Sequence, residues 1–248
     1  MTVGDSSDAL ATPPPKRSGR LGVGIIGAGK VGPIFGAALA GAGHAIVGIS
    51  AVSQDSRDRA EAILPGVPIL EIPDLIERSE LVIMAVPESE LESLITGLSA
   101  TGAWHAGQLV MHTAAGFGAG VFASAMAAGV IPLAVHPAMS FTGTSIDLVR
   151  LRDSFCAVTA PTPVLPIGQA LVVEMGAEPV IIAEADRPAY AEAISTATSF
   201  SAAIVSQAVG ILDGLGVEAP GTVLAPLVRS AVENALAAPH ADTIDRAL

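Results

Sequence analysis

Short apolar runs alternate with more polar or small-residue segments through the first two thirds of this chain. The runs are continuous rather than alternating, which is typical of parallel strands covered on both faces. They predict strands at residues 21–26, 44–50, 69–70, 80–86, 108–112, 131–136, 155–159 and 179–182. The segments between them predict helices at 30–41, 57–64, 73–78, 89–99, 121–128 and 166–175. This alternation predicts an α/β fold built on a doubly wound, mainly parallel sheet.

The pattern changes after Asp186, where two long predicted helices, 188–214 and 222–237, replace the alternation. We therefore expect three parts along the chain. A polar, proline-rich and disordered tail occupies residues 1–20, the sheet domain occupies 21–160, and a smaller, mostly helical domain occupies 161–248.

The first long helix contains an uncharged stretch, Ala193 to Leu212, that is about as long as a membrane span. Serine, threonine and glutamine residues are spread through it, so we interpret it as a helix buried in protein rather than in lipid. Because the C-terminal region is small for burying such a helix alone, we expect a homodimer that pairs through residues 188–214. The N-terminus lacks the apolar core of a signal peptide, which predicts a cytoplasmic protein.

A glycine-rich turn follows the first predicted strand and opens the first predicted helix. Its sequence is Gly27-Ala28-Gly29-Lys30-Val31-Gly32. The first glycine of such a G-x-G-x-x-G turn permits a tight bend, the second lets the backbone approach a pyrophosphate, and the third allows close helix–strand packing. The loop therefore predicts a dinucleotide-binding domain of Rossmann-like type, the alternative being a tight turn in a sheet protein that has lost its cofactor.

The end of the second predicted strand indicates which dinucleotide binds. NAD sites usually carry an acidic residue there for the ribose hydroxyls, but residues 47–53 contain no carboxylate. The polar residues in and after this stretch are Ser53, Ser56, Arg57 and Arg59. Because hydroxyl and guanidinium groups suit a 2′-phosphate, NADP(H) is favoured over NAD, unless the arginines are only solvated surface charges.

Other candidate residues follow the later strands at their C-terminal ends, where α/β sheets bind ligands. The candidates for lining the cofactor are Val86, Pro87 and Thr113. The candidates for catalysis are His112, His136, Ser140 and Thr142. We expect His112 or His136 to orient the substrate or donate a proton, and the two hydroxyls to hydrogen-bond it; structural histidines are the alternative.

Composition narrows the function classes. The chain of 248 residues has 24 acidic and 12 basic residues, and its net charge of -12 argues against a nucleic-acid partner. Lys16 and Lys30 are its only lysines, so a mechanism that needs a catalytic lysine has few candidates. The single cysteine, Cys156, excludes an internal disulfide and fits a reducing compartment. The histidines lack the spacing of metal ligands, so no metal site is predicted.

These motifs together resemble one group of bacterial proteins. The matching segments are the Gly27–Gly32 loop, Ala51-Val52-Ser53 with Ser56-Arg57, Val82 to Pro87, His112-Thr113, and His136-Pro137-Ala138-Met139-Ser140-Phe141-Thr142-Gly143. The group combines a Rossmann-like domain with an uncharacterised C-terminal domain, DUF2520, and is related to ketopantoate, pyrroline-5-carboxylate and F420-dependent NADP reductases. The resemblance covers the chain from about residue 20 and implies a helical domain that dimerises. Because relatives continue beyond Leu248, it also implies that this domain is incomplete here.

The resemblance implies an NADPH-dependent oxidoreductase that reduces a small keto acid or imine, with ketopantoate and the pantothenate pathway as the nearest analogy. The better-known ketopantoate reductases use a lysine in the crevice, whereas Lys30 lies in the phosphate loop of this chain. A non-catalytic dinucleotide-binding or sensing protein is therefore one alternative. A protein similar to F420-dependent NADP reductases is the other.

Overall fold

The computed structural model describes residues 20–238. The predicted tail lies outside them except for Arg20, whose guanidinium is paired with Glu174 at 2.7 Å. The chain divides into two compact units, one ending at Pro188 and one starting at Ala189. Each unit is described by itself below.

The first unit is built around a seven-stranded sheet. Its strands are β1 (Gly22–Ile26), β2 (Ala45–Ser50), β3 (Leu81–Met84), β4 (Leu109–His112), β5 (Ile131–Pro137), β6 (Phe155–Thr159) and β7 (Glu178–Ile181). The spatial order is β2-β1-β3-β4-β5-β6-β7, and only the β5–β6 pair is antiparallel. The chain thus leaves β1 toward β2 and returns to the other side of β1 with β3, which creates the switch-point crevice where doubly wound sheets bind ligands.

Helices cover both faces of this sheet. They are α1 (Gly32–Gly41), α2 (Gln54–Ile63), α3 (Ile72–Glu77), α4 (Glu88–Ala100), α5 (Ala123–Met126), α6 (Ile146–Arg152) and α7 (Leu165–Glu174), with short 3-10 turns at Ala119–Phe122 and Glu184–Asp186. Successive strand residues face opposite sides, so Ile25 and Ile83 join one buried apolar cluster while Ile26 and Met84 join the other. This burial on both faces explains why the strands read as continuous apolar runs.

The predicted mainly parallel α/β fold is confirmed, with three differences in detail. The predicted strand at 69–70 is reduced to one bridge between Ile69 and Ile49. Helix α6, with its two arginines and exposed Ile146 and Val149, lies in a stretch where no helix was predicted. The compact unit that contains the sheet continues past residue 160, because β7 pairs with β6, and it ends at Pro188.

The second unit is helical. It contains most of α8 (Arg187–Ser195), a π-helical turn at Thr196–Phe200, α9 (Ser201–Gly214) and α10 (Pro220–Ala237). The predicted helix 188–214 is therefore continuous but widened by one π turn, within which the Thr198 hydroxyl donates to Ile194 O at 2.8 Å. Ala219, with φ +51°, reverses the chain before α10, which packs against α9.

Eight large apolar side chains of this second unit are exposed on the isolated chain. They are Phe200, Ile204, Ile211, Leu215, Val223, Leu227, Val232 and Leu236. Burial of the 193–212 stretch within its own chain is therefore not observed. Within residues 20–238, one helical run, Glu184–Gly214, is long and apolar enough to cross a membrane by length and composition alone, a test that core helices of globular proteins also pass.

Candidate functional site

The three glycines of the Gly27–Gly32 loop have three different environments. Gly27 has φ +103°, and a Cβ on it would lie 2.5 Å from Ala85 O. A Cβ on Gly32 would lie 2.1 Å from Gly27 O, because α1 begins directly against the turn. A Cβ on Gly29 would meet nothing within 4 Å. The loop is therefore packed tightly against the rest of the protein at Gly27 and Gly32. It is open at Gly29, where a bound group can approach the backbone.

Neighbouring strands end level with this loop. Ile26 of β1 is in register with Met84 of β3, which is in register with His112 of β4. The residues that follow line one cavity of about 430 Å³ at this edge. The lining residues are Gly29, Lys30, Val31, Ala85, Val86, Pro87, Glu88, Thr113, Ala114, Ala115 and His136. The structure thus brings seven of the residues predicted from the sequence into one cavity.

His112 is not part of that lining. It is fully buried, its Nε2 lies 2.9 Å from Gly118 O, and its Nδ1 accepts the N–H of Ala114 at 3.1 Å. Both ring nitrogens are therefore engaged by backbone groups, and these partners define a neutral imidazole protonated on Nε2. Burial lowers the pKa of His112 to about 4, with Arg187 and His136 adding to the shift against the Gly118 hydrogen bond. His112 holds the loop after β4 in place, and the structure does not present it to a substrate.

His136 is the histidine that does face the cavity. It lies near the end of β5, opposite Ala157 of the antiparallel partner strand. Burial and, secondarily, the positive charge of Arg187 lower the pKa of His136 to about 4. His136 is therefore a neutral imidazole at pH 7 and not an imidazolium acid.

Arg187, which was not predicted from the sequence, is fully buried next to this position. Its Nη2 donates to Ala134 O at 3.0 Å and to Ala157 O at 3.1 Å, and its Nε donates to Thr159 Oγ1 at 2.7 Å. Its Nη1 lies 3.5 Å from the carbonyl oxygen of Ala115, which lines the cavity. One guanidinium thus links β5, β6 and the loop after β4 behind the candidate site. No sequence signal identifies it, because these acceptors are backbone carbonyls apart from the Thr159 hydroxyl.

Ser140 and Thr142, predicted to contact a substrate, lie outside the residues lining this cavity. Ser140 is exposed. The Thr142 hydroxyl donates to Asp147 Oδ1 at 3.1 Å and lies 2.8 Å from the Thr144 hydroxyl, so it is occupied within its own turn. Asp147, a fully buried carboxylate missed by the sequence analysis, organises this turn. It is the first charged residue after the uncharged run 93–146, which is the signal that could have identified it.

The predicted 2′-phosphate ligands after β2 have local roles as well. Ser53 Oγ accepts the N–H of Ser56 at 3.2 Å, and Ser56 Oγ donates to Ser53 O at 2.7 Å, so both hydroxyls cap α2. This cap explains why the helix begins earlier than the predicted residue 57. Arg57 is exposed, whereas Arg59 extends back to the glycine loop, where its Nη1 donates to Ala28 O at 3.0 Å. Arg59 is therefore the arginine that the fold brings to the loop.

Two other predictions concern metals and the cysteine. Among residues 20–238, no group of three histidine, cysteine or acidic side chains is placed to hold a metal ion. Cys156 is a free, fully buried thiol on β6, and burial raises its pKa to about 12. It therefore has the character of a packing residue and not of a nucleophile.

The fold and the loop geometry define a Rossmann-like protein, and the comparison with known families agrees. Residues 7–137, more than half of the chain, match the Rossmann-like domain family, so the chain belongs to this family. Residues 154–244 match DUF2520, a domain of unknown function. The family resemblance stated from the motifs is thereby confirmed. No curated protein matches the chain significantly.

Solved structures with the same fold have low sequence identity. A Bacteroides fragilis protein described as an NADP oxidoreductase is 17% identical, with 88% of this chain and 82% of that chain covered and a TM-score of 0.71. Pyrroline-5-carboxylate reductase from Streptococcus pyogenes is 18% identical, with coverages of 90% and 82% and a TM-score of 0.66. An imine reductase from Streptomyces aurantiacus is 16% identical, with coverages of 86% and 73% and a TM-score of 0.64.

Proposed function

We propose that this chain is an NADP(H)-dependent oxidoreductase that reduces a C=O or C=N group of a small keto acid or imine. The observation that carries the proposal is the glycine loop, which is packed at Gly27 and Gly32 and open at Gly29. That geometry fits the pyrophosphate of a dinucleotide at the N-terminus of α1, where backbone N–H groups and the helix dipole favour an anion. The cationic residues beside the loop, Lys30 and Arg59, suit the additional phosphate of NADP(H).

The cavity beside the loop supplies the groups for the reduction. NADPH, when bound, supplies the hydride. His136 lines the same cavity as Gly29 and Lys30, and as a neutral imidazole it can donate an N–H hydrogen bond to the carbonyl oxygen or imine nitrogen. Negative charge increases on that atom during hydride transfer, so such a donor stabilises the transition state, and solvent water supplies the proton that completes the reduction. Val86, Pro87 and Thr113 line the same cavity.

Two of the three structural relatives described above are named for the reduction of C=N groups, which favours an imine substrate within this class. Ketopantoate belongs to the keto-acid alternative.

A fluorescence titration with NADPH tests the proposal first, followed by the loss of NADPH absorbance with a panel of cyclic imines and 2-keto acids, ketopantoate included. We expect saturable binding, weaker binding of NADH, and turnover of at least one substrate. The His136→Phe variant should lose roughly a hundredfold in kcat or more while binding NADPH normally, because phenylalanine has a ring of similar shape but no N–H donor. Exposed Ser140→Ala is the matched control and should behave like the wild type.

A chain that binds no NADPH would refute the proposed function. Tight NADPH binding without turnover would favour a non-catalytic dinucleotide-binding or sensing protein. One observation supports that alternative: the His112 ring and the Thr142 hydroxyl, both predicted to act in catalysis, are occupied by structural hydrogen bonds. Oxidation of reduced F420 by NADP would favour the other alternative.

We also propose a homodimer that forms through the 188–214 helix. The support is the apolar surface of α9, where Ile204 and Ile211 are 67% and 61% exposed on one chain. A partner subunit is the simplest cover for such a surface. Light scattering should give twice the mass of one chain, and Ile204→Asp should shift the protein toward a monomer; a monomeric wild type would contradict the proposal.

A further inference from the structure

A tight turn after β5 is organised by one buried carboxylate. Asp147 Oδ2 accepts the backbone N–H groups of Thr142 and Gly143, both at 2.8 Å, and Oδ1 accepts the Thr142 hydroxyl. Asp147 is fully buried at the start of α6. The nearest cation recorded for it is the half-exposed Arg150, at 3.7 Å. The carboxylate is thus held mainly by the amides and hydroxyl of the turn and only weakly by an ion pair.

The bonds on Asp147 favour the ionised form. Burial alone would raise the pKa of Asp147, but hydrogen bonds from Gly143, Thr142 and Thr144 hold the pKa below its usual value. An ionised carboxylate accepts at both oxygens, whereas a neutral side chain of the same shape cannot. The turn is therefore specified by aspartate at this position and not merely by a polar residue.

The other side of this turn faces the glycine loop. Gly143 is buried with φ +82°, and a Cβ on it would lie 3.0 Å from Arg59 Nε and 3.1 Å from Lys30 Cγ. Both side chains therefore lie close to the face of Gly143 where a Cβ would stand. Arg59 reaches the loop itself through Ala28 O. Partly buried Met139 and Phe141 anchor the preceding segment on the core cluster that includes α1.

The two cations have little else to fix them. Lys30 is exposed, and among residues 20–238 the Arg59 guanidinium makes one hydrogen bond, to Ala28 O. Long flexible side chains lose rotamer freedom when they are ordered, which opposes binding. A rigid backbone wall that restricts them before a ligand arrives reduces this cost at the moment of binding.

We propose that Asp147 is a positioning residue of the dinucleotide site, which holds the Thr142–Thr144 turn so that Gly143 confines Lys30 and Arg59 beside the glycine loop. This inference rests on the proposed function, because it concerns how the cofactor phosphates are bound. It assigns the motif Thr142-Gly143-Thr144 to cofactor binding instead of substrate contact. Asp147 acts only through the two cations and touches neither cofactor nor substrate.

The test is a double-mutant cycle on NADPH affinity with full-length Asp147→Asn, Arg59→Met and the double variant, measured well below their unfolding midpoints. Asp147→Asn should weaken NADPH binding about tenfold, the scale of one charge-assisted contact. In the Arg59→Met background the same substitution should have a clearly smaller effect, because only the route through Lys30 remains. Asp153→Asn, an exposed aspartate at the end of the same helix, is the control and should bind normally.

The outcomes separate the possible failures. If Asp147→Asn lowers only the unfolding midpoint, or weakens binding equally with and without Arg59, the positioning role is wrong. If Asp147→Asn does not fold, Gly143→Ala decides: its methyl group pushes on Arg59 and Lys30 directly, so NADPH binding must weaken, and normal binding overturns the proposal. A wild-type chain that binds no NADPH refutes the proposed function itself.

Discussion

The Gly32→Ala variant is expected to lose NADPH binding by a hundredfold or more and to unfold with about 2–3 kcal/mol less free energy, the scale of overpacking in a close-packed interior. The added methyl group would lie 2.1 Å from Gly27 O and 3.0 Å from Ile25 Cγ2. Neither neighbour is the free end of a flexible side chain, so α1 must move away from β1. That movement opens the turn that holds the pyrophosphate.

Two other glycines provide matched controls for this prediction. Gly29→Ala adds a methyl group where nothing lies within 4 Å, so folding should be unaffected while NADPH binding weakens, because the methyl group occupies the approach of the phosphates. Gly41→Ala, at the far end of α1 and equally open, should leave binding unchanged. Isothermal titration with NADPH and urea unfolding measure both quantities. A Gly32→Ala protein that binds NADPH like the wild type would contradict the role assigned to the loop.

The Arg187→Met variant is expected to lose about 3 kcal/mol of unfolding free energy, because buried carbonyl oxygens that lose a donor cost about 1–3 kcal/mol each. Ala134 O and Ala157 O both accept from Nη2, and methionine fills the volume without replacing either bond. Arg187→Lys should recover only part of the loss, since one ammonium cannot reproduce a forked geometry. Exposed Arg78→Met is the control, with a change within about 0.5 kcal/mol. Urea unfolding measures all three; equal effects of Arg187→Met and Arg78→Met would contradict the structure.

Arg187→Met should also change how the free energy of unfolding depends on pH through His136. The folded chain holds the pKa of His136 near 4 against an ordinary value of 6.5, so between these values the unfolded chain binds more protons. This histidine therefore contributes stability fully above pH 6.5, and the contribution is lost as the pH falls toward 4. Removing the charge of Arg187 should raise the pKa of His136. The pH range between its folded and unfolded pKa values should then become narrower. An NMR titration of the ring protons follows this shift.

The elements of the sheet could be predicted because their signals are local. Continuous apolar runs identified β1, β3 and β4 to within about two residues, since burial on both faces needs no polar alternation. The register of those strands then explains why Gly29, Val86, Thr113 and His136 meet in one cavity. The antiparallel β5–β6 pairing was harder to predict from the sequence. The direction of β6 depends on the connection through α6, and the sequence pattern did not predict that helix.

The candidate site residues also divide into those that local sequence predicts and those that only the folded chain distinguishes. His112 and His136 have similar sequence contexts, each at a strand end with a threonine or serine nearby. Only the folded chain separates them, because Gly118 O and Ala114 N occupy the first ring while the second lines the cavity. Ser53 and Ser56 were likewise predicted as cofactor ligands from their hydroxyl groups. In the folded chain these hydroxyl groups cap the N-terminus of α2.

The sequence by itself determined the strand and helix periodicity, the glycine loop and the Rossmann-like family of this protein. These follow from neighbouring residues, through side-chain alternation and the steric demands of a tight turn. Tertiary structure alone decided where the side chains of Arg187, Asp147 and Arg59 lie, since their partners are main-chain groups brought close by the fold. A backbone carbonyl or amide has no identity in the sequence, so which side chain it will bind depends on long-range packing.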